Sequence, residues 1–210
     1  MAAAAPRIEA HDSPLIALMG ADWHSLKPAV RARFGHEPET GHPVVYRGVM
    51  EKVHCSLAGW LFAQVTRLIG NPLAAHRGTD VPMEVRLTPC EKGGVCWQRT
   101  YGFKTPFIVT SAKRQDAQGR LCEYVGLGFG MRLEVYARDG ALHFESRRYF
   151  WEVMGVQVPL PDALTPGRTH VIHEDISGDA TGGGRFRFTI SMDHMWFGRT
   201  FFQTGVFERV

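Results

Sequence analysis

The side chains here with the most chemical potential are one arginine set among aromatics and a few carboxylates in otherwise apolar strands. In WQRTYGF, alternation puts Trp97, Arg99, Tyr101 and Phe103 on one face of a strand. A guanidinium framed by aromatic rings suits the acidic group of a largely apolar ligand. The same pattern also serves as ordinary core stacking. Glu123, Glu152 and Glu174 are the carboxylates that alternation could turn indoors. Two of them meeting in an apolar interior would give a raised-pKa acid beside an ionised base, the pairing of a general acid–base enzyme.

Other chemistries fit less well. Ser111, in IVTSAKR, lies in a strand with no assignable base, and no serine occupies a G-x-S-x-G elbow. His170 and His173 fall on opposite faces of RTHVIHEDI, so they cannot chelate one metal together. His173 and Asp175 share a face but lack a third ligand. No metal and no cofactor are expected. A net charge of +3, with scattered basic residues, lacks the stripe of a nucleic-acid binder. The alternation of Arg185 and Arg187 with Phe186 and Phe188 is that of a half-buried strand.

Cys55, Cys90, Cys96 and Cys122 form no C-x-x-C pair and are expected to be reduced and mostly buried. MAAAAPRIEA has neither the charged start nor the apolar centre of a signal peptide. No apolar run approaches the roughly 18 residues of a membrane span. A cytoplasmic protein without stable membrane insertion is expected.

The elements that must position these groups are mostly strands. Residues 1–20 are expected as a loosely ordered lead-in, and 21–210 as a single β-rich domain. A short helix is predicted near Ser25–Phe34, where Leu26, Val30 and Phe34 share a face. A strand over 42–54 follows. The clearest helix begins after Ser56 and ends at Gly70, before Asn71-Pro72. Its stripe of Leu57, Trp60, Leu61, Val65, Leu68 and Ile69 is expected to pack on the core, with a lid over a pocket as the alternative. From Pro82 onward the predicted strands cover about 82–91, 95–103, 107–115, 121–138, 141–158, 168–176, 185–193 and 199–209. Turn signals separate them, Lys92-Gly93-Gly94 and Thr181-Gly182-Gly183-Gly184 among them. The fold class is mainly β (α+β): an antiparallel, strongly curled sheet or β-barrel of about 8–10 strands, with one or two N-terminal helices packed on it. A helix-grip (START-like) fold is the alternative.

One hairpin fixes a register. Asp139-Gly140 forms a two-residue turn, placing Arg138 opposite Ala141. One face then pairs Tyr136 with His143, Glu134 with Glu145 and Arg132 with Arg147. Further along it, Gly130, Gly128 and Gly126 lie opposite Tyr149, Trp151 and Val153. The other face pairs Val135 with Phe144, Leu133 with Ser146, Met131 with Arg148, Phe129 with Phe150 and Leu127 with Glu152. That second face is expected to point inward, carrying Arg148 and Glu152, with Glu123 on the same parity. The glycines of GLGFGMRLEV are expected to lie beneath aromatics and let two long strands bend.

WQRTYGF, TSAKR, LCEYVG, VPLPDALTPG, HED, GRFRFTISM and FGRTFFQTG follow one another in this order. The chain thereby resembles the bacterial family called domain of unknown function 4166, over roughly residues 20 to 209. The resemblance maps onto Trp97, Arg99, Ser111, Glu123, Gly126, Pro159, Pro161, Pro166, Glu174, Phe188, Gly198 and Gly205. Such domains can be appended to a saccharopine-dehydrogenase-like nucleotide-binding portion. Only the appended part is present here, so no NAD role is implied. Gln203-Thr204-Gly205 departs from the tyrosine expected before x-Gly.

Three functions are consistent with the sequence. The first is a barrel binding a small apolar or lipid-like ligand with an acidic group, through Trp97, Arg99, Tyr101, Glu123, Phe129, Arg148, Phe150, Glu152 and Glu174. The second is an enzyme on the same barrel, using a buried carboxylate. The third is a regulatory domain that meets a protein partner and holds no ligand.

Overall fold

A computed structural model describes residues 12–68, 73–177 and 184–210. The expected end of the second helix at Gly70-Asn71-Pro72 and the turn at 181–183 lie outside the described residues, as do residues 1–11 of the lead-in.

Eleven strands form one antiparallel sheet: β1 (Val44–Cys55), β2 (Val81–Pro89), β3 (Val95–Tyr101), β4 (Phe107–Gln115), β5 (Leu121–Gly126), β6 (Phe129–Arg138), β7 (Ala141–Val153), β8 (Val156–Pro159), β9 (Arg168–Asp175), β10 (Phe186–His194) and β11 (Gly198–Arg209). The order runs β6-β5-β4-β3-β2-β1-β11-β10-β9-β7, and β6 also pairs with β7. The sheet therefore closes into a ten-stranded barrel, with β8 hung on β7 as an extra strand. Closure sets aside the helix-grip alternative. Inward residues recur with period two on each strand, as in Val81, Met83, Val85 and Leu87 of β2, all buried.

Short helices stop one end. Ser13 caps α1 (Pro14–Met19) through its Oγ, a 3₁₀ turn follows at Gly20–Ser25, and α2 (Pro28–Phe34) begins on a proline that needs no N–H there. Leu15, Met19, Trp23, Leu26, Val30 and Phe34 join the barrel core. The last part of the expected lead-in is therefore a docked helix. At the other end lies α3 (Leu57–Leu68), started by a hydrogen bond from the Gly59 N–H to Ser56 Oγ.

The packing of α3 differs from the expected one. Its buried residues are Gly59 and Ala63, one turn apart. A Cβ on Gly59 would come within 2.3 Å of the Thr200 carbonyl oxygen, so only glycine lets the helix sit this close to β11. Leu57, Trp60, Leu61, Val65 and Leu68 remain exposed.

The β6–β7 hairpin holds the second difference. Arg138 faces Ala141, Glu134 faces Glu145 and Leu133 faces Ser146, as the turn predicts. A bulge then intervenes: Arg132 pairs with Arg148, leaving Arg147 as the extra residue. One added residue reverses every side chain beyond it. Met131 now meets Tyr149, Gly130 meets Phe150 and Phe129 meets Trp151. The 121–138 segment is also two strands, turning at Leu127-Gly128 with φ of 45° and 82°. Gly130 lies beneath the ring of Phe150, and a Cβ on Gly128 would come within 3.5 Å of the Trp151 ring, so these two glycines do lie under aromatics, Gly130 under a different one from that expected.

The third difference is covalent. Cys90 and Cys96 form a disulfide across the β2–β3 turn, while Cys55 and Cys122 are free and buried. The turn at Lys92-Gly93-Gly94 brings the two strand ends together and the thiols with them.

Candidate functional site

Among the described residues, an outer and an inner chamber lie in the barrel lumen. The outer one, of about 220 Å³, lies beneath α3 and the 160–166 loop. Val65 and Leu164, both exposed, stand at its rim. Its walls are mostly apolar, with Val109, Met131, Val171, Ile190, Met192 and Phe201 contributing. The inner chamber, of about 30 Å³, lies toward α2, and Arg99 and Phe188 line both.

A charged cluster marks the boundary. Alternation on β3, β4 and β5 turns Arg99, Ser111, Lys113 and Glu123 inward, and the register sets Lys113 directly opposite Glu123. Arg99 Nη1 donates to Ser111 Oγ at 3.1 Å, and Ser111 Oγ donates to Glu123 Oε1 at 2.6 Å. Arg99 Nη2 lies 3.6 Å from Glu123 Oε1, and Lys113 Nζ lies 3.1 Å from Glu123 Oε2. The Lys113 ammonium also stands 4.5 Å from the centre of the Trp97 ring and 5.6 Å from that of Phe144.

Two cations thus share one carboxylate in a buried place. Burial pushes the Glu123 carboxyl up, but Lys113, Arg99 and the Ser111 hydroxyl outweigh it and bring it down to about 2. Burial lowers Lys113 despite the attraction of Glu123, and Arg99 lowers it further. The carboxylate is oversupplied with positive charge and the cations are undersupplied with negative charge. Such a cluster favours an incoming anion.

Other polar groups complete the outer chamber. Tyr101 donates its hydroxyl to Gln203 Oε1 at 2.7 Å. The Tyr149 hydroxyl is 2.6 Å from Thr169 Oγ1 and donates to the Gly167 carbonyl. Burial raises the phenols of Tyr101 and Tyr149, the latter to about 12, so both stay neutral.

Of the residues singled out by sequence, Arg99, Tyr101, Glu123 and Phe129 line the outer chamber, and Trp97 with Arg99 the inner one. The others lie elsewhere. The bulge turns Arg148 out to solvent and seats Phe150 against Tyr124, fully buried but away from the lumen. Glu152 accepts from the Tyr124 hydroxyl and from Gln157 on the outside of the barrel. Glu174 is exposed opposite Arg187, the other parity of β9 having gone inward. The three carboxylates therefore do not converge.

Lys113, Tyr149 and Gln203 were missed as site residues. Lys113 shares the parity of Ser111, so its inward aim was available from FIVTSAKR once the next hairpin was paired. Gln203 faces the chamber. Among the described residues, no three His, Cys, Asp or Glu side chains gather as a metal site would require. No helix among them is long and apolar enough to cross a membrane.

Residues 26–207 match the family described as a domain of unknown function (DUF4166), and the chain belongs to that family. No protein of curated function matches the chain.

Proposed function

We propose that this DUF4166 domain binds a small, largely apolar molecule carrying one acidic group, with the tail in the outer chamber and the acid beside Arg99. The observation that carries the reading is the pairing of an apolar chamber of about 220 Å³ with a buried cluster of two cations and one carboxylate. A chamber of about 150 Å³ lined by Leu, Ile and Phe takes benzene. The present one suits an aromatic or short acyl acid, with any longer tail passing between Val65 and Leu164.

Binding is favoured over acid–base catalysis because Glu123 is held ionised by its neighbours and has no second carboxylate among Glu152 and Glu174 to work with. A cytoplasmic location is also proposed, from the sequence, and a Cys90–Cys96 disulfide that persists in cells would count against it.

Native mass spectrometry of the purified protein, followed by denaturation to release any bound molecule, tests the proposal. A stoichiometric apolar acid, lost in Arg99→Met, is the expected result. A mass equal to the bare chain, unchanged after incubation with an extract of cell lipids and metabolites, would overturn it.

A further inference from the structure

The inner chamber is a second site of different character. Arg33 reaches it from α2, with its guanidinium carbon 3.9 Å from the centre of the Phe186 ring. All three guanidinium nitrogens of Arg33 are buried without a hydrogen-bond partner. The same holds for Trp97 Nε1 and His173 Nδ1, on side chains 9% and 4% exposed that line the same chamber. Phe34, Phe186, Phe188 and Phe207 supply much of the remaining wall, and the polar side chains of Tyr46 and Arg99 also border the chamber without hydrogen-bonding any of these nitrogens.

A guanidinium has five N–H donors and no acceptor, and indole has one donor only. These groups want negative charge. The carboxylate that attracts Arg33 from outside the chamber is that of Asp175, and it accepts from the Ser177 hydroxyl. The chamber volume of about 30 Å³ exceeds the roughly 10–15 Å³ that one water requires. It has room for one halide-sized ion, or for the head of a carboxylate.

We infer that the inner chamber holds a monovalent anionic group, of halide to carboxylate size, bound by Arg33 and Trp97 Nε1 with His173 beside it. The inference stands whether or not the outer chamber is filled. The anion is either a free ion or, because Arg99 and Phe188 border both chambers, the acid head of an outer ligand pushed past them. Burial and the cations of Lys113, Arg33 and Arg99 hold His173 well below its ordinary range, so it adds no charge. The Arg33 guanidinium, lowered by burial, gains most from the anion.

The test is crystallography with bromide in place of chloride, together with urea unfolding at fixed ionic strength as gluconate, too large for the chamber, is exchanged for bromide. The expected result is an anomalous peak within hydrogen-bonding reach of Arg33 and Trp97. The folding constant should then rise about tenfold for each tenfold of bromide above the dissociation constant. Arg33→Met should abolish both. If that variant does not fold, Trp97→Phe should fold and weaken bromide binding by about tenfold or more, through loss of one hydrogen bond to a charged partner. Octanoate as a second probe separates the sources: its carboxylate displacing bromide from the chamber supports the ligand head, and bromide persisting beside it supports a free ion. Water alone in the chamber with both probes, or unfolding indifferent to bromide, would overturn the inference.

Discussion

Replacing Glu123 by glutamine strands Lys113 and Arg99 in the lumen without their shared counter-ion. At separations of 3.1 and 3.6 Å, and an effective dielectric of ~20, each attraction is worth about 5 kcal/mol before desolvation is counted. Desolvation of the ions cancels much of that, so the intact cluster adds little net stability. Breaking it is costlier, about 3–5 kcal/mol, because the buried charge left behind has no partner. Urea unfolding at pH 7, followed by tryptophan fluorescence, should show that loss for Glu123→Gln. The double variant Glu123→Gln with Lys113→Met should recover more than half, since one stranded cation is removed.

The pH dependence gives an independent reading of the same cluster. The Glu123 carboxyl is held at about 2, below its ordinary value of about 4.3. Its contribution is therefore present above pH ~4.3 and lost as pH falls through about 2. Glu123→Gln should lack that acid loss. Lys113, deprived of its anion, should titrate still lower, so the variant's deficit should shrink as pH rises toward ~10. A deficit below about 1 kcal/mol, or a double variant no more stable than the single one, would refute the electrostatic reasoning.

Four further outcomes follow from the same geometry. Ile190→Trp, filling the outer chamber from β10, should reduce binding of an apolar acid at least tenfold, measured by calorimetry, while stability changes by under about 3 kcal/mol. Gly130→Val should cost about 1–3 kcal/mol in urea unfolding, because a Cβ there would meet the Phe150 ring and the Glu123 carbonyl oxygen at 2.8 Å. A thiol reagent in denaturant should label two cysteines, Cys55 and Cys122, before reduction and four after, and four before reduction would show that Cys90 and Cys96 are not bonded. His173 is held well below its ordinary value by burial and nearby cations. The unfolded chain therefore binds the extra proton, and stability should fall as pH drops below about 6.5, an effect absent in His173→Gln.

How much of this was legible in the sequence varies with the length over which alternation holds. WQRTYGF alternates without interruption, and the lumen received Trp97, Arg99 and Tyr101 as expected. Asp139-Gly140 fixed the first half of its hairpin correctly. Beyond Leu133 the reading inverted, because a single extra residue at Arg147 leaves no gap in the letters yet exchanges the two faces. The consecutive exposed arginines 147 and 148 are the only local sign of it. The helix α3 misled for another reason. Its long apolar side chains suggested a buried stripe, whereas close approach to Thr200 demanded the small residues Gly59 and Ala63. Lys113 was overlooked because lysine usually marks solvent, and only its pairing with Glu123 across the strands keeps it indoors. The disulfide required seeing that the Lys92-Gly93-Gly94 turn brings Cys90 back beside Cys96.

The barrel's strand order bears on how the chain reaches its fold. Setting the β8 excursion aside, each strand neighbours the one before it, so most of the sheet can assemble by successive local zippering. The seam between β1 and β11 is the exception, joining Cys55 to Phe201 and Tyr46 to Arg209. That closure pays its loop entropy last. Until the seam forms, β1 and β11 are open edges, and Phe201 and Phe207 lack the sealed lumen that buries them. Folding should therefore show fast sheet formation followed by a slower, late enclosure of the interior, and the unclosed sheet would be the species most prone to associate with another copy of itself.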